Sequence, residues 1–474
     1  MNYIVIDQGT SSTKAFLFNS KGIPIHQNSI KHELFKPKPF HIESDPIQIV
    51  RAVKILLEEM INKSGDVIIH KVGMAVQRST FLFWGKNTIK PLTRAISWQD
   101  TRAQNIVENI ENYRKEIWEI TGAPLSPHFG GPKFLFITQN NKFLRSQIDK
   151  GNVFFGPLSA FIIHSITGIA SIDNSIACRT LLYDINKGKW SNFLLDLFQV
   201  PKKCLPRLVP IQYKYGNILK TKIPLCTVIG DQQAALIGHQ GGLAQHSLSA
   251  NFGTSGSILF NTGTKPQIIS GLISSILYSE KNKTIFMVEG TINACNSIFY
   301  HLEKTLRISH NKMQWNKRAN ATNTNGIFIP GFNGLAAPYW KTGFRDIYID
   351  LDDDPNQIIR AAMESIVFLA NDIIKCLGNA NIKLTKKITV SGGGARTSLL
   401  QFLADVTEKE INHYLVKDQT ATGVYILLNI NDSNGDNAHV FDKKFFPKKQ
   451  YNIVKKKENW LKAIKKFNLN LSSF

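Results

Sequence analysis

The chain reads as an α/β protein built in two halves with a ligand cleft between them, and three stretches predict it. The first, Tyr3-Ile4-Val5-Ile6-Asp7-Gln8-Gly9-Thr10-Ser11-Ser12-Thr13-Lys14-Ala15-Phe16-Leu17-Phe18, is an apolar strand, a loop of acid, glycine and hydroxyls, and a returning apolar strand, which makes a hairpin. The second repeats that plan: a strand over 247–252, the turn Gly253-Thr254-Ser255-Gly256, and a return strand over 257–260. The third is an apolar run (Pro224, Leu225, Val228, Ile229) closing on Gly230, followed by Asp231-Gln232-Gln233-Ala234-Ala235-Leu236-Ile237-Gly238, which reads as strand, tight turn, helix. Each hairpin turn gathers backbone N–H groups and hydroxyls in one concavity, a shape that suits phosphate oxygens and also serves as an ordinary polar turn. Asp7 at its strand end can hold Mg²⁺ through water. Asp231, at a helix start, suits either proton acceptance at a cleft rim or helix capping.

Composition sets the limits. With 474 residues, 43% of them apolar, the chain can bury ample core and is long enough for two or three domains. No apolar run approaches the roughly 18 residues of a membrane span. The first residues already read as a strand, without the basic-then-apolar layout of a secretion signal. Cys178, Cys204, Cys226, Cys295 and Cys376 are spaced singly and read as reduced thiols rather than a disulfide or zinc framework, so a cytoplasmic protein is expected. The net charge of +22 is spread along the chain, with its densest runs at Lys443-Lys444, Lys455-Lys456-Lys457 and Lys465-Lys466, and no basic helix is interleaved with aromatics. It reads as a solvated surface that attracts an anionic nucleotide, with neither nucleic acid nor membrane as partner.

In chain order, residues 22–30 read as a third strand, and Asp45-Pro46 is an N-cap with proline at the first position of a helix over 47–61. Residues 67–76 and 81–84 are further strands, ending in the polar clusters Gln77-Arg78-Ser79-Thr80 and, later, Ser97-Trp98-Gln99-Asp100-Thr101-Arg102. In the second half a strand over 284–288 precedes a helix over 293–306, and 355–377 is a long amphipathic helix. The loop from Gly331 through Tyr339 and Trp340 reads as packing. A strand over 387–390 feeds Ser391-Gly392-Gly393-Gly394-Ala395-Arg396 and then a helix, where glycines let a ligand approach the backbone at a helix N-terminus.

Asp7-Gln8-Gly9-Thr10, Gln77-Arg78, Trp98-Gln99-Asp100-x-Arg102 and Gly230-Asp231-Gln232-Gln233-Ala234-Ala235, followed in order by Phe252-Gly253-Thr254, Asn261-Thr262-Gly263, Glu289-Gly290, Pro330 to Trp340, Glu364-Ser365-Ile366 and Ser391-Gly392-Gly393-Gly394-Ala395, resemble the FGGY carbohydrate kinases, and within them most closely the glycerol kinase branch. The resemblance covers about residues 3 to 425. It implies two actin-like, RNase H-like α/β domains, expected at 1–243 and 244–430, with an uncertain tail at 431–474. It implies ATP as phosphoryl donor, Mg²⁺ as cofactor, a sugar or polyol as acceptor, and leaves room for a homodimer. By the same resemblance Asp231 is the base, and Arg78, Ser79, Trp98, His128, Asp231 and Gln232 meet the acceptor. Thr10, Ser11, Ser12, Lys14, Thr254, Gly393, Gly394 and Ser398 meet the nucleotide, and Asp7 with Asp231 the metal.

The departures from the glycerol kinase pattern concern the acceptor. Where that pattern has Gln-Arg-Glu, Arg78 is followed by Ser79; a tyrosine corresponds to His128 and a phenylalanine to Ser257. A pocket without that acid, phenol and aromatic wall suits a three-carbon triol less well, so an acceptor other than glycerol is expected, with glycerol itself and a catalytically weak, ligand-binding sensor as alternatives. Thr420-Ala421-Thr422-Gly423-Val424-Tyr425-Ile426 keeps only part of a small-residue helix, and residues 429–437 have turn composition, so a rearranged end is expected.

Overall fold

The computed structural model describes residues 1–244, 247–380, 382–414, 418–430, 443–448 and 452–469. Two sheets carry the two halves. The first has the order Gln212–Asn217, Pro224–Gly230, Ile69–Val76, Asn2–Gln8, Ser12–Asn19, Pro24–Lys31. Its central strand, Asn2–Gln8, runs antiparallel to Ser12–Asn19 and parallel to Ile69–Val76. Tyr3, Ile4, Val5 and Ile6 are all buried, the continuous apolar run expected of a strand covered on both faces. The second sheet has the order Ile273–Glu280, Lys283–Ile292, Gly256–Gly263, Leu248–Phe252, Lys387–Ser391, Glu410–His413, Lys443–Phe445. Its first hairpin and parallel partner repeat the earlier plan.

Local chemistry explains the flanking helices. The Pro46–Ser64 helix starts where the Asp45 carboxylate accepts from Ile47 N–H at 2.8 Å, and it buries Ile49, Val53, Leu56, Leu57 and Met60 along one stripe. Between the first sheet's strands lies a smaller unit, of which the sequence shows only the strand over 81–84. It is a five-stranded sheet, with Phe81–Gly85 and Val153–Pro157 at one side, covered by helices Gly130–Gln139 and Lys142–Asp149 around Phe83, Phe134, Phe155 and Phe198. This unit carries Trp98 and His128.

The C-terminal part departs from the expected arrangement. The helix Gln419–Leu428 was placed in the second half, yet Ala421, Val424, Tyr425, Ile426, Leu427 and Leu428 fill the first core. Gln212 Nε2 donates to Leu427 O at 2.6 Å and Lys71 Nζ to Leu428 O at 3.0 Å, which anchors the helix end to the first sheet. The described parts of the tail are packed. Strand Lys443–Phe445 extends the second sheet, and helix Asn452–Lys466 docks on its core. There Trp460 Nε1 donates to Asp372 at 2.7 Å and Lys456 pairs with Glu364 at 2.5 Å. Of the stretch expected to be turn-rich, residues 431–437 lie outside the described residues.

The helices Asp231–Gln240 and Gln419–Leu428 cross at two glycines. A Cβ added to Gly423 would lie 1.9 Å from the Ala234 carbonyl oxygen, and one added to Gly238 would lie 2.0 Å from that of Gln419. Backbone this close admits no side chain. Gly423→Ala is therefore expected to destabilise the protein by about 1–3 kcal/mol through forced separation of the helices, read as a lower urea midpoint. An unchanged midpoint would show that the crossing yields without cost.

Candidate active site

Asp231 follows the strand Pro224–Gly230 as the first residue of its helix, with Gly230 as the N-cap residue. A side chain at Gly230 would collide with Gln233 Oε1 at 2.5 Å and Arg78 Cδ at 2.9 Å, which explains the glycine. Asp231 Oδ1 accepts from Gln232 N–H at 2.8 Å and faces Arg78 Nε at 3.4 Å, and 28% of its side chain stays exposed. Arg78 directs Nη1 and Nη2 onto Glu289 at 2.7 and 2.9 Å, and Arg179 Nη2 donates to the same carboxylate at 2.6 Å.

Glu289 comes from the second sheet, so this cluster joins the two halves. Burial works to raise the Glu289 carboxyl, but Arg78 and Arg179 overcome it and bring it down to about 2. Burial raises Asp231, with Arg78 opposing. Asp7 is pushed up to about 7, first by burial and then by the charge of Asp231.

The wall expected to meet the acceptor is assembled by backbone contacts. Ser79 is buried with φ of 61°, a left-handed conformation that costs energy for a residue with a Cβ. Its carbonyl accepts from Lys133 Nζ at 3.0 Å, and the Ser97 carbonyl accepts from the same nitrogen at 2.7 Å. His128 Nδ1–H donates to Trp98 O at 2.8 Å, and burial brings its imidazole down to about 4, so it is neutral at pH 7. Trp98 Nε1 donates to Thr10 Oγ1 at 2.9 Å, linking this wall to the first hairpin turn. Ser257 lies near Gln232 across the halves, Oγ to Oε1 at 3.5 Å. The rest of the Trp98–Arg102 cluster is architectural: Arg102 pairs with Asp100 and Glu43, each at 2.7 Å.

At the turns expected to meet phosphate, Gly9 N–H donates to Ser12 O and His32 N–H to Ser11 O, closing the first turn. Lys14, opposite Asp7 across the hairpin, pairs with Asp418 at 2.5 Å. In the second turn Thr254 is exposed, and its carbonyl accepts from Ser297 N–H at 3.1 Å. The glycine loop sits beside it, with Gly394 N–H donating to Phe252 O at 2.7 Å. Gly392 has φ of 103° and no room for a Cβ, whereas nothing lies within 4 Å of a Cβ added to Gly393, so that backbone faces open space. Ser398 lies further along, bonded through Oγ to Asn316 at 3.1 Å.

Thus Asp7, Thr10, Lys14, Arg78, Ser79, Trp98, His128, Asp231 and Gln232 form one connected region. Thr254, Gly393 and Gly394 form a second, and Ser398 stands apart from both. The Gly331–Trp340 loop is packing as read: Tyr339 OH donates to Asp372 at 2.7 Å. Three site residues went unassigned from sequence. Glu289 carries its own signal, a charge inside the apolar run of strand Lys283–Ile292. Lys133 and Arg179 carry none beyond being cations in apolar surroundings.

Two paired domains of this build, with an acid and an arginine at the junction, match known proteins. The FGGY family of carbohydrate kinases matches through its N-terminal domain at residues 2–238 and its C-terminal domain at 248–431. The chain belongs to this family, whose members are phosphotransferases that transfer phosphate from ATP to an alcohol group. Among curated relatives, glycerol kinase 2 of Thermotoga maritima is 31% identical, covering 90% of this chain and 89% of its own. Glycerol kinase of Caldanaerobacter subterraneus is 32% identical, covering 90% and 88%. The crystal structure of Plasmodium falciparum glycerol kinase with ADP superposes with a TM-score of 0.91 at 28% identity, covering 99% of each chain. Gluconate kinase from Lactobacillus acidophilus, at 21% identity and a TM-score of 0.86, shares the fold. Among the described residues no helix is long and apolar enough to cross a membrane.

Lys133 gives the site a pH signature. Burial lowers its ammonium to about 7, so above that pH the folded protein holds fewer protons than the unfolded chain, and stability rises with pH between about 7 and 10.5. In Lys133→Met this contribution is gone. Urea midpoints across that range are expected to rise more in the wild type than in the variant; parallel curves would contradict a neutralised Lys133.

Proposed function

We propose that this chain transfers the γ-phosphoryl group of ATP to a hydroxyl of a sugar or polyol larger than glycerol, with Asp231 as the base. The carrying observation is that Asp231 keeps an exposed edge while Arg78 spends both terminal nitrogens on Glu289 and offers Asp231 only Nε. The carboxylate is thereby oriented without being closed off. A hydroxyl is a poor nucleophile, and a carboxylate that removes its proton during in-line attack meets that need. The hairpin turns around Thr10, Ser11 and Ser12 and around Thr254 supply N–H groups and hydroxyls for phosphate oxygens, and Lys14 adds a charge. Gly393 offers open backbone to the nucleotide, with Gly394 packed beside it and Ser398 beyond.

Mg²⁺ fits the residues present. Asp7 and Asp231 repel each other, which a cation offsets, and among the described residues no group of three acids, histidines or cysteines is placed to hold a metal ion. One or two carboxylates, with water and phosphate completing the shell, is the donor set this ion takes. Asp7 and Asp231 would hold it, and when bound it supplies charge neutralisation on the phosphate oxygens. The two lobes are best divided near residues 240–246, with the helix Gln419–Leu428 assigned to the first.

Asp231→Asn is expected to lower kcat by about 10²-fold or more, the scale of a lost general base. The rise in melting temperature given by ATP with Mg²⁺ should persist. Unchanged turnover would remove Asp231 from the mechanism.

The relatives named glycerol kinase favour glycerol as acceptor, whereas Ser79, His128 and Ser257 favour a longer one. A site with a missing hydrogen-bond partner loses about 1–3 kcal/mol toward the ligand that needed it. We expect kcat/KM for at least one four- to seven-carbon polyol or ketose to exceed that for glycerol, and Ser79→Glu/His128→Tyr/Ser257→Phe to reverse the order. Glycerol as the best wild-type substrate by about tenfold would overturn this preference.

A further inference from the structure

Arg78 and Arg179 share Glu289 but not the same state of satisfaction. Every nitrogen of Arg78 has a counterpart: Nη1 and Nη2 on Glu289, Nε on Asp231. Arg179 donates through Nη2 to Glu289 Oε2 at 2.6 Å, but its Nη1, in a residue only 3% exposed, has no partner. A buried guanidinium nitrogen in that condition has lost hydration without replacement, which folded proteins rarely leave uncompensated.

The chain places this residue beside the site. Arg179 belongs to the turn Cys178–Thr180, which follows the Asn174–Ala177 helix capped by Asp173. Ser175 Oγ of that helix accepts from Gly230 N–H at 3.0 Å, tying it to the Asp231 turn. On the other side Thr180 Cα would touch a Cβ added to Gly130 at 3.2 Å, two residues after His128. Arg179 therefore lies between the Asp231 turn and the His128 wall, one carboxylate away from Asp231.

Resting on the kinase reading above, we propose that Arg179 is an acceptor-binding residue whose Nη1 donates to a hydroxyl or carbonyl oxygen of the sugar or polyol, remote from the hydroxyl that is phosphorylated. Arg78 is then the positioning residue, holding Glu289 and Asp231 in register. A longer acceptor supplies the additional oxygen that Nη1 needs.

The test compares wild type with Arg179→Met and Arg179→Lys on glycerol, erythritol, ribitol, sorbitol, D-xylulose and sedoheptulose, with the ADP-induced shift in melting temperature reporting the fold. For the probes that the wild type phosphorylates, Arg179→Met is expected to raise the acceptor KM about tenfold or more and to leave the ATP KM within about twofold, with Arg179→Lys recovering part of the loss. Because Arg179→Met leaves Glu289 with one partner, Arg179→Met/Glu289→Gln is measured beside it, and the same split between the two KM values is expected. An acceptor KM that does not move in a folded variant overturns the assignment, as does an ATP KM that rises in step, or failure of all three variants to fold. A wild type that releases ADP with none of the six acceptors overturns the kinase reading itself, whereas an acceptor KM in Arg179→Met equal to that of an active wild type overturns only the role of Arg179.

Discussion

Glu289 is a carboxylate 2% exposed, held by two guanidiniums that reach it from the other half of the molecule. Burying any of these charges alone would be prohibitive, and removing one partner of such a group typically costs about 3–5 kcal/mol. The three side chains therefore constrain one another. Arg78 can satisfy Glu289 only by presenting its fork, which turns the Nε edge toward Asp231. The strand Lys283–Ile292 is thereby tied to the first half at the point where both halves must cooperate. Orientation of Asp231 and placement of the lobes are one electrostatic problem with one solution.

A second set of constraints shapes the opposite wall. The buried Lys133 holds the carbonyls of Ser79 and Ser97, and the residue after Ser97 receives His128 on its own carbonyl. Ser79, Trp98 and His128 come from three separate segments, and their common reference is backbone. Substitution of these side chains can thus proceed without disturbing the backbone frame that presents them.

Much of this was legible in the sequence, for identifiable reasons. Both hairpins are continuous apolar runs broken by glycine and hydroxyl residues, and Asp45-Pro46 marks a helix start by local chemistry alone. What was not legible depends on distant partners. Arg179 meets Glu289 across 110 residues and Lys133 meets Ser79 across 54, and no local pattern encodes either contact. Asp100 and Arg102 stand in the same polar cluster as Trp98, and charge after a strand looks alike in sequence whether it faces a ligand or a neighbouring loop. Helix Gln419–Leu428 was assigned to the nearer half because an apolar helix face carries no mark of which sheet it covers. Trp460 and Lys456 were hidden among the lysines of the tail, where composition suggested only a solvated surface.

That returning helix has a consequence for how the chain is made. The first sheet is complete by Gly230, but Val424 and Leu428, which lie against Gly73, belong to the helix Gln419–Leu428. During synthesis, which proceeds at about 5–20 residues per second, the first lobe emerges nearly two hundred residues before the segment that closes it. Throughout that interval an apolar trough over its central strands is open to solvent. The nascent first lobe is thus an incomplete folding unit, and the whole second lobe must be translated before its core can close.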